Sequence, residues 1–159
     1  MGCYRPGVPE ELVLAMRDAM QAKSFVETGT NDGKTVRWAA KHFAHVYSCD
    51  LEQGLAKNAQ AAFADQKHVS VMHSASPAFL TKLLAGGTLE QPAILWLDAH
   101  WCGSGTAKGP KECPLLDEIG AILAAAHKDV GIIIDDARLF HTPPPPPHNA
   151  ADWPKYAEI

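Results

Sequence analysis

Five short apolar runs, rich in β-branched or aromatic residues, lie at 25–27, 45–50, 69–74, 93–98 and 130–136, and longer stretches with helical spacing separate them. This alternation is the strongest constraint on what the chain can fold into. Each run reads as a strand, and the helical patterns fall at 10–22, 35–43, 52–63, 77–84 and 114–126. The first of these sets Leu12, Met16 and Ala19 on one face, and Pro114 suits the first turn of the last. The runs AILWLDA and VGIIIDD are apolar on both alternating faces, as central strands covered on both sides should be. Strands and helices in this succession make right-handed crossovers between parallel strands and an open, doubly wound α/β sheet. Ligands of such sheets bind beyond the carboxyl ends of the strands, near the switch in strand order, so functional residues are expected just after each strand.

With 159 residues, 47% of them hydrophobic, the chain can bury one core and reads as a single domain over 1–159. A formal charge of -4 without any Lys/Arg-rich run argues against nucleic acid as a partner. No stretch of about 18 apolar residues occurs, and the N-terminus lacks a basic stretch followed by an apolar one, so a soluble, cytoplasmic protein without a membrane partner is expected. Gly2 and Cys3 do not make an acylation signal, because Pro6 stands where Ser or Thr is required. The cysteines Cys3, Cys49, Cys102 and Cys113 form no paired framework, which fits a reducing compartment. Beyond Phe140, the five prolines at 143–147 should form a stiff polyproline spacer or the edge of a lid, with a ligand for a proline-recognition domain as the alternative.

The chemistry concentrates at strand ends. The first strand runs into VETGTNDGKT, where Glu27 at the tip is followed by Gly29 and Gly33, glycines that let backbone turn closely around a ligand. The loop lacks the middle glycine of a dinucleotide fingerprint and adds Glu27 and Asp32, so it suits a cationic ligand better than a pyrophosphate. The alternative is an ordinary turn in which Asn31 or Asp32 caps the next helix. The second strand ends in Asp50, seventeen positions beyond Gly33, where an acid can accept from the hydroxyls of a ribose. Glu52 is explained as a residue of a first helical turn. Ser74 ends the third strand and is a candidate for the adenine edge.

The ExGxxxG at 27–33, the acid at 50 and the DxHW of Asp98, His100 and Trp101 together resemble a class I S-adenosylmethionine-dependent methyltransferase over roughly 25–140. The resemblance implies a Rossmann-like, doubly wound sheet of strand order 3-2-1-4-5 with helices on both faces. It further implies a cofactor set of Glu27, Thr28, Gly29, Thr30, Asn31, Gly33, Asp50, Leu51, Ser74 and Asp98. Within that superfamily, LDAHW and IIIDDARLF are similar to metal-dependent O-methyltransferases of the catechol and macrocin kind. That similarity makes Asp98, Asp135 and Asp136 ligands of a divalent cation, for which oxygen donors favour Mg²⁺, Mn²⁺ or Ca²⁺, with Mg²⁺ the first expectation. Adjacent strands lie about 4.8 Å apart, so carboxylates at their tips can share a hard cation. Successive strand residues face opposite ways, and Asp135 and Asp136 converge only if the second already lies in the turn.

The expected reaction is methyl transfer to a hydroxyl of a small molecule or sugar, with Asp98 at the reacting end and His100 as general base, the alternatives for His100 being a metal ligand or a surface histidine. A zinc site of His100 with Cys102 and Cys113 fits no compact spacing. Lys108 is a candidate for assisting deprotonation or meeting an anionic substrate, and Trp101 for stacking on a flat substrate or plugging the sheet. The superfamily normally continues to further strands, whereas nineteen residues follow Phe140 here, so the open edge of the fifth strand makes a homodimer plausible. Two other classes stay open: a noncatalytic cofactor-binding domain and a metal-dependent hydrolase using the Asp/His cluster.

Overall fold

The computed structural model describes residues 7–103, 105–125 and 129–159. Gly2 and Cys3, Ser104 of the Gly-containing loop and Ala126, the expected end of the last helix, lie outside them. Five parallel strands, β1 (Ser24–Thr28), β2 (His45–Asp50), β3 (Val69–His73), β4 (Ala93–Leu97) and β5 (Val130–Ile134), form one sheet in the order β3-β2-β1-β4-β5. The helices are α1 (Glu10–Met20), α2 (Lys34–Ala39), α3 (Gln53–Ala62), α4 (Ser76–Ala85) and α5 (Leu115–Ala124). The expected strand order is present, and the order switches between β1 and β4.

Alternation along the strands feeds two cores. Phe25, Val46, Ile94 and Trp96 meet Val13 of α1, Val36 of α2 and Ala59 of α3 on one face. Val26, Cys49, Leu95 and Leu97 meet Phe79 and Leu80 of α4 and Leu115 and Ile122 of α5 on the other. Each fully buried Phe or Ile contributes about 1.5–3 kcal/mol relative to an exposed one. The sheet is thereby pinned from both sides, and its strand tips are held in one row.

Three expectations need correction. Helix α1 buries Val13, while Leu12 is 51% exposed. The helix is rotated so that Met16 and Met20 lie over Gly131, where a Cβ would stand only 2.8 Å from the Met16 terminal methyl. Strand β5, read as central from its apolar run, is an edge strand with Ile132 40% exposed. An apolar run reports β propensity and does not say which neighbour the sheet supplies. Finally, β4 and β5 end at Leu97 and Ile134, which leaves Asp98, Asp135 and Asp136 outside the regular strands.

The segment after Phe140 does not hang free. It passes through short 3₁₀ turns at Ala150–Asp152 and Tyr156–Glu158, and Trp153 between them is buried in the same core as Phe140 and Leu115. No helix among the described residues is long and apolar enough to cross a membrane.

Candidate functional site

The turn after β1 is built around a close approach of backbone. Gly29 has φ +91, and the N–H groups of Gly29 and Thr30 donate to the Cys49 carbonyl at 2.9 and 3.0 Å. A Cβ at Gly29 would overlap the Asp98 carbonyl oxygen and stand 3.0 Å from its carbon, so only glycine lets the β1 and β4 tips meet. Asp50 completes the turn. Its Oδ2 accepts from Asn31 N–H and its Oδ1 from Glu52 N–H, both at 2.8 Å. Each carboxylate oxygen keeps a second lone-pair direction, so Asp50 retains acceptor capacity toward a ligand. Glu52 is the N-cap of α3, accepting from Leu55 N–H at 2.6 Å.

A cavity of about 470 Å³ lies across the strand tips at the switch between β1 and β4. Of the sequence-predicted cofactor residues, Gly29, Asn31, Asp50, Leu51, Ser74 and Asp98 line it. Glu27, Thr28, Thr30 and Gly33 do not. Glu27 shares the α2 side of β1 with Phe25, where its carboxylate accepts from Ser48 Oγ at 2.7 Å, and Ser48 in turn bonds Thr30 Oγ1 at 2.7 Å. The expected direct attraction between Glu27 and a cationic ligand is thus replaced by a buried support under the turn. Thr28 Oγ1 accepts from the Asp98 N–H at 3.1 Å, and Gly33 starts α2 behind the loop. Asp32 is exposed and accepts from Lys34 N–H at 3.1 Å, the helix-start role open to it from the sequence. The wall also includes Ser76, Pro77, Lys111, Glu112 and Asp117, which sequence reasoning missed. Pro77 at the first turn of α4 was the available signal, since a helix N-terminus there faces the strand tips. Nothing periodic marks residues 111 and 112.

Burial pushes the Glu27 carboxyl up to about 8, against the hydrogen bonds from Ser48 and Thr35 and with help from the Asp50 and Asp32 charges. The folded state therefore binds a proton on Glu27 between its ordinary value near 4.5 and about 8, where the unfolded chain does not. The stability this group contributes is present in full below pH 4.5 and is lost as pH rises through 8. A Glu27→Gln variant is expected to gain thermal stability over the parent on going from pH 5 to pH 8.5. An unchanged difference in melting temperature across that range would refute the buried, protonated state.

At the β4 and β5 tips the acids do gather. Asp98 N–H also bonds the Thr28 carbonyl at 3.1 Å, and Asp135 N–H bonds the Leu97 carbonyl at 3.0 Å, extending both ladders by one residue. Asp136 then takes φ +51, a left-handed turn that breaks the strand alternation and lets Asp135 and Asp136 both line the cavity. His100 stands between carboxylates, its Nδ1 3.4 Å from Asp98 Oδ1 and its Nε2 3.4 Å from Asp136 Oδ2. Burial lowers the His100 pKa despite Asp136 and Asp135, which keeps the imidazole neutral at neutral pH. Burial first, and then the Asp135 charge, push Asp98 up to about 9, so a proton is retained beside Asp135.

The full three-acid metal cluster is not assembled as the side chains lie. Asp136 forms an ion pair with Arg138, and among the described residues no three His, Cys, Asp or Glu side chains stand close enough together to hold a metal. The zinc reading fails on placement: Cys113 is buried in the α4–α5 core while Cys102 is exposed at the cavity. Lys108 bonds Glu112 at 2.8 Å and lies over the Trp101 ring, which takes it away from proton transfer. Trp101 meets His148 edge to face at 5.0 Å, so its ring is used internally.

No family model and no curated protein sequence matches the chain. Solved structures do. The O-methyltransferase TomG of Streptomyces achromogenes, involved in tomaymycin synthesis and solved with S-adenosylmethionine, aligns over 93% of this chain and 65% of its own, with TM-score 0.59 and 16% identity. The 23S rRNA methyltransferase ErmE aligns over 86% of this chain and 50% of its own, with TM-score 0.50 and 12% identity. The methyltransferase domain of bacterial CtHen1 aligns over 93% and 76%, with TM-score 0.50 and 13% identity. The chain thus spans between half and two thirds of the length of the first two. In strand order, the chain has the Rossmann-like fold seen in these S-adenosylmethionine-dependent methyltransferases.

Proposed function

We propose that the cavity binds S-adenosylmethionine and that the chain transfers its methyl group to an oxygen of a small molecule or sugar. One observation carries the reading: Asp50, at the tip of β2, both shapes the Gly29 turn and faces the cavity at the strand-order switch. An acid there suits the two hydroxyls of an adenosine ribose. Leu51 and Ser74 beside it suit the base, and the β4 and β5 tips lie at the other end, where the sulfonium and acceptor would meet. The likeness to TomG, solved with this cofactor, supports the same reading.

The reaction is an in-line displacement. When bound, S-adenosylmethionine would supply a methyl group on sulfonium sulfur, which an acceptor oxygen at the β4 and β5 tips would take while the S–CH₃ electron pair stays with sulfur, so that S-adenosylhomocysteine is the product. The acceptor proton passes to His100, whose neutral imidazole has a nitrogen free to take it. Asp136 and Asp135 hold negative charge around the histidine and stabilise its protonated form, while Asp98 faces its Nδ1. Most of the rate then comes from orientation in a partly desolvated site.

The same carboxylates bear on a cation. Asp98 and Asp135, oxygen donors crowded together at the ends of adjacent strands, fit a hard divalent ion, and Asp136 would join them on turning away from Arg138. When bound, Mg²⁺ would supply positive charge that lowers the pKa of an acceptor hydroxyl.

Calorimetric titration with S-adenosylhomocysteine, with and without Mg²⁺, tests the reading. Micromolar binding is expected for the parent chain, and Asp50→Ala should weaken it about 100-fold or more, because charge-assisted bonds of the turn and the ribose are lost together. No binding by the parent would overturn the proposal. Metal-dependent hydrolysis untouched by Asp50→Ala would replace it.

A further inference from the structure

Residues 105–114 form one wall of the cavity, and they contain no helix or strand until the first residues before α5. Residues 141–149 are similarly irregular. Both stretches converge on a single side chain. The Glu112 carboxylate is buried and accepts four hydrogen bonds: Lys108 Nζ at 2.8 Å and Asn149 N–H at 3.0 Å on Oε1, His148 Nδ1 and Trp153 Nε1 at 3.0 Å on Oε2. One donor comes from the wall itself and three from the C-terminal segment. The Glu112 carbonyl in turn accepts from Trp101 N–H at 2.7 Å, closing the base of the wall.

The chemistry of the hub is that of a permanent anion. Burial opposes the charge most strongly, yet the bonds from Lys108, Trp153, Asn149 and His148 overcome it and hold the carboxyl at about 2. Because an ionised carboxylate only accepts, the His148 proton must sit on Nδ1, which sets that ring's tautomer. An apolar plug would close two loops at less desolvation cost than a buried charge. A charge whose partners all come from irregular segments does something an apolar plug does not: its bonds are directional and are made or lost together. The joint also reaches the reacting end, because the Trp153 ring lies 5.5 Å from that of His100.

We propose that Glu112 is a positioning residue, a latch that fastens the C-terminal segment 148–153 to the cavity wall and so retains bound cofactor. This rests on the cofactor reading above. Release of S-adenosylhomocysteine then requires the segment to unlatch, whereas the walls made by β1, β2 and α4 stay in place.

Hydrogen exchange and S-adenosylhomocysteine dissociation kinetics on the full chain test it, comparing the parent with Glu112→Gln and Trp153→Phe. The glutamine puts an NH₂ among donors, and the phenylalanine removes one donor while keeping an aromatic ring in the core. Amides of 148–153 and 105–113 should exchange about tenfold faster or more in Glu112→Gln, with the strands unchanged, and less so in Trp153→Phe. The ligand should dissociate about tenfold faster, with the association rate changed much less, a split that general destabilisation would not produce. Unchanged exchange at 148–153 in both variants overturns the latch. Faster exchange with an unchanged dissociation rate overturns its role in retaining cofactor. Faster exchange in a chain whose parent form binds no S-adenosylhomocysteine supports the latch and sinks the cofactor reading instead. If Glu112→Gln does not fold, Trp153→Phe alone gives the same comparison.

Discussion

Gly29→Ala should destabilise the fold by roughly 3–5 kcal/mol and abolish cofactor binding, the largest effect expected of any single methyl group in this chain. Two causes add. An L-residue at φ +91 is strained, and the new Cβ collides with backbone, the Asp98 carbonyl, which has no rotamer to move into. Relief requires the β1 and β4 tips to separate, and that shifts Asp98 and His100 from their places around the cavity. For a chain of this length the loss corresponds to a melting temperature lower by roughly 10 °C. Gly33→Ala is the control: φ is +72, but the contact is with the Phe63 ring at 3.3 Å, a side chain able to yield. Its cost should be roughly 1–2 kcal/mol. Equal melting temperatures for the two variants would show that the close approach of the strand tips is not what Gly29 supplies.

Asp98→Asn should separate function from stability. If methyl transfer occurs as proposed, kcat should fall about 10³-fold, since the amide, unlike the carboxyl shared with Asp135, cannot give up a proton when His100 beside it takes one up. S-adenosylhomocysteine affinity should change much less, because the Asp50 end is untouched. Stability should move the other way at high pH. The folded pKa of Asp98 is raised to about 9 from 3.8, so the stability it contributes is present in full below pH 3.8 and is lost as pH rises through 9. The asparagine variant should therefore gain on the parent steadily between pH 5 and pH 9, as read by thermal melts. A variant that keeps kcat within about threefold of the parent would remove Asp98 from the mechanism. A constant difference in stability across that pH range would show that its carboxyl is not protonated in the folded state.

Much of this site was legible in the residues because it depends on local order. A strand followed by a glycine turn, and a strand ending in an acid, can be read one segment at a time, which is why Gly29 and Asp50 fall on the cavity wall as expected. Glu27 was misplaced although its strand was right. Period-2 alternation says that it faces the opposite way from Val26, but only the packing of α2 shows that this direction leads beneath the turn. Asp136 depended on a single dihedral angle: in an extended conformation it would point away from Asp135, and φ +51 brings both to the cavity.

Glu112 illustrates the remaining gap. Its partners His148, Asn149 and Trp153 lie 36 to 41 positions away, in a stretch without periodicity, and no local pattern pairs an acid with an indole at that separation. By itself, the sequence determined what repeats and what is local: five strands, the helices between them, the glycine turn and the acids at strand tips. Only the tertiary structure decided which strand lies at the edge, which acids face the cavity and which buried charge joins the wall to the C-terminal segment. Propensity and alternation act between near neighbours along the chain, whereas burial, desolvation and long-range hydrogen bonds exist only once distant segments have met.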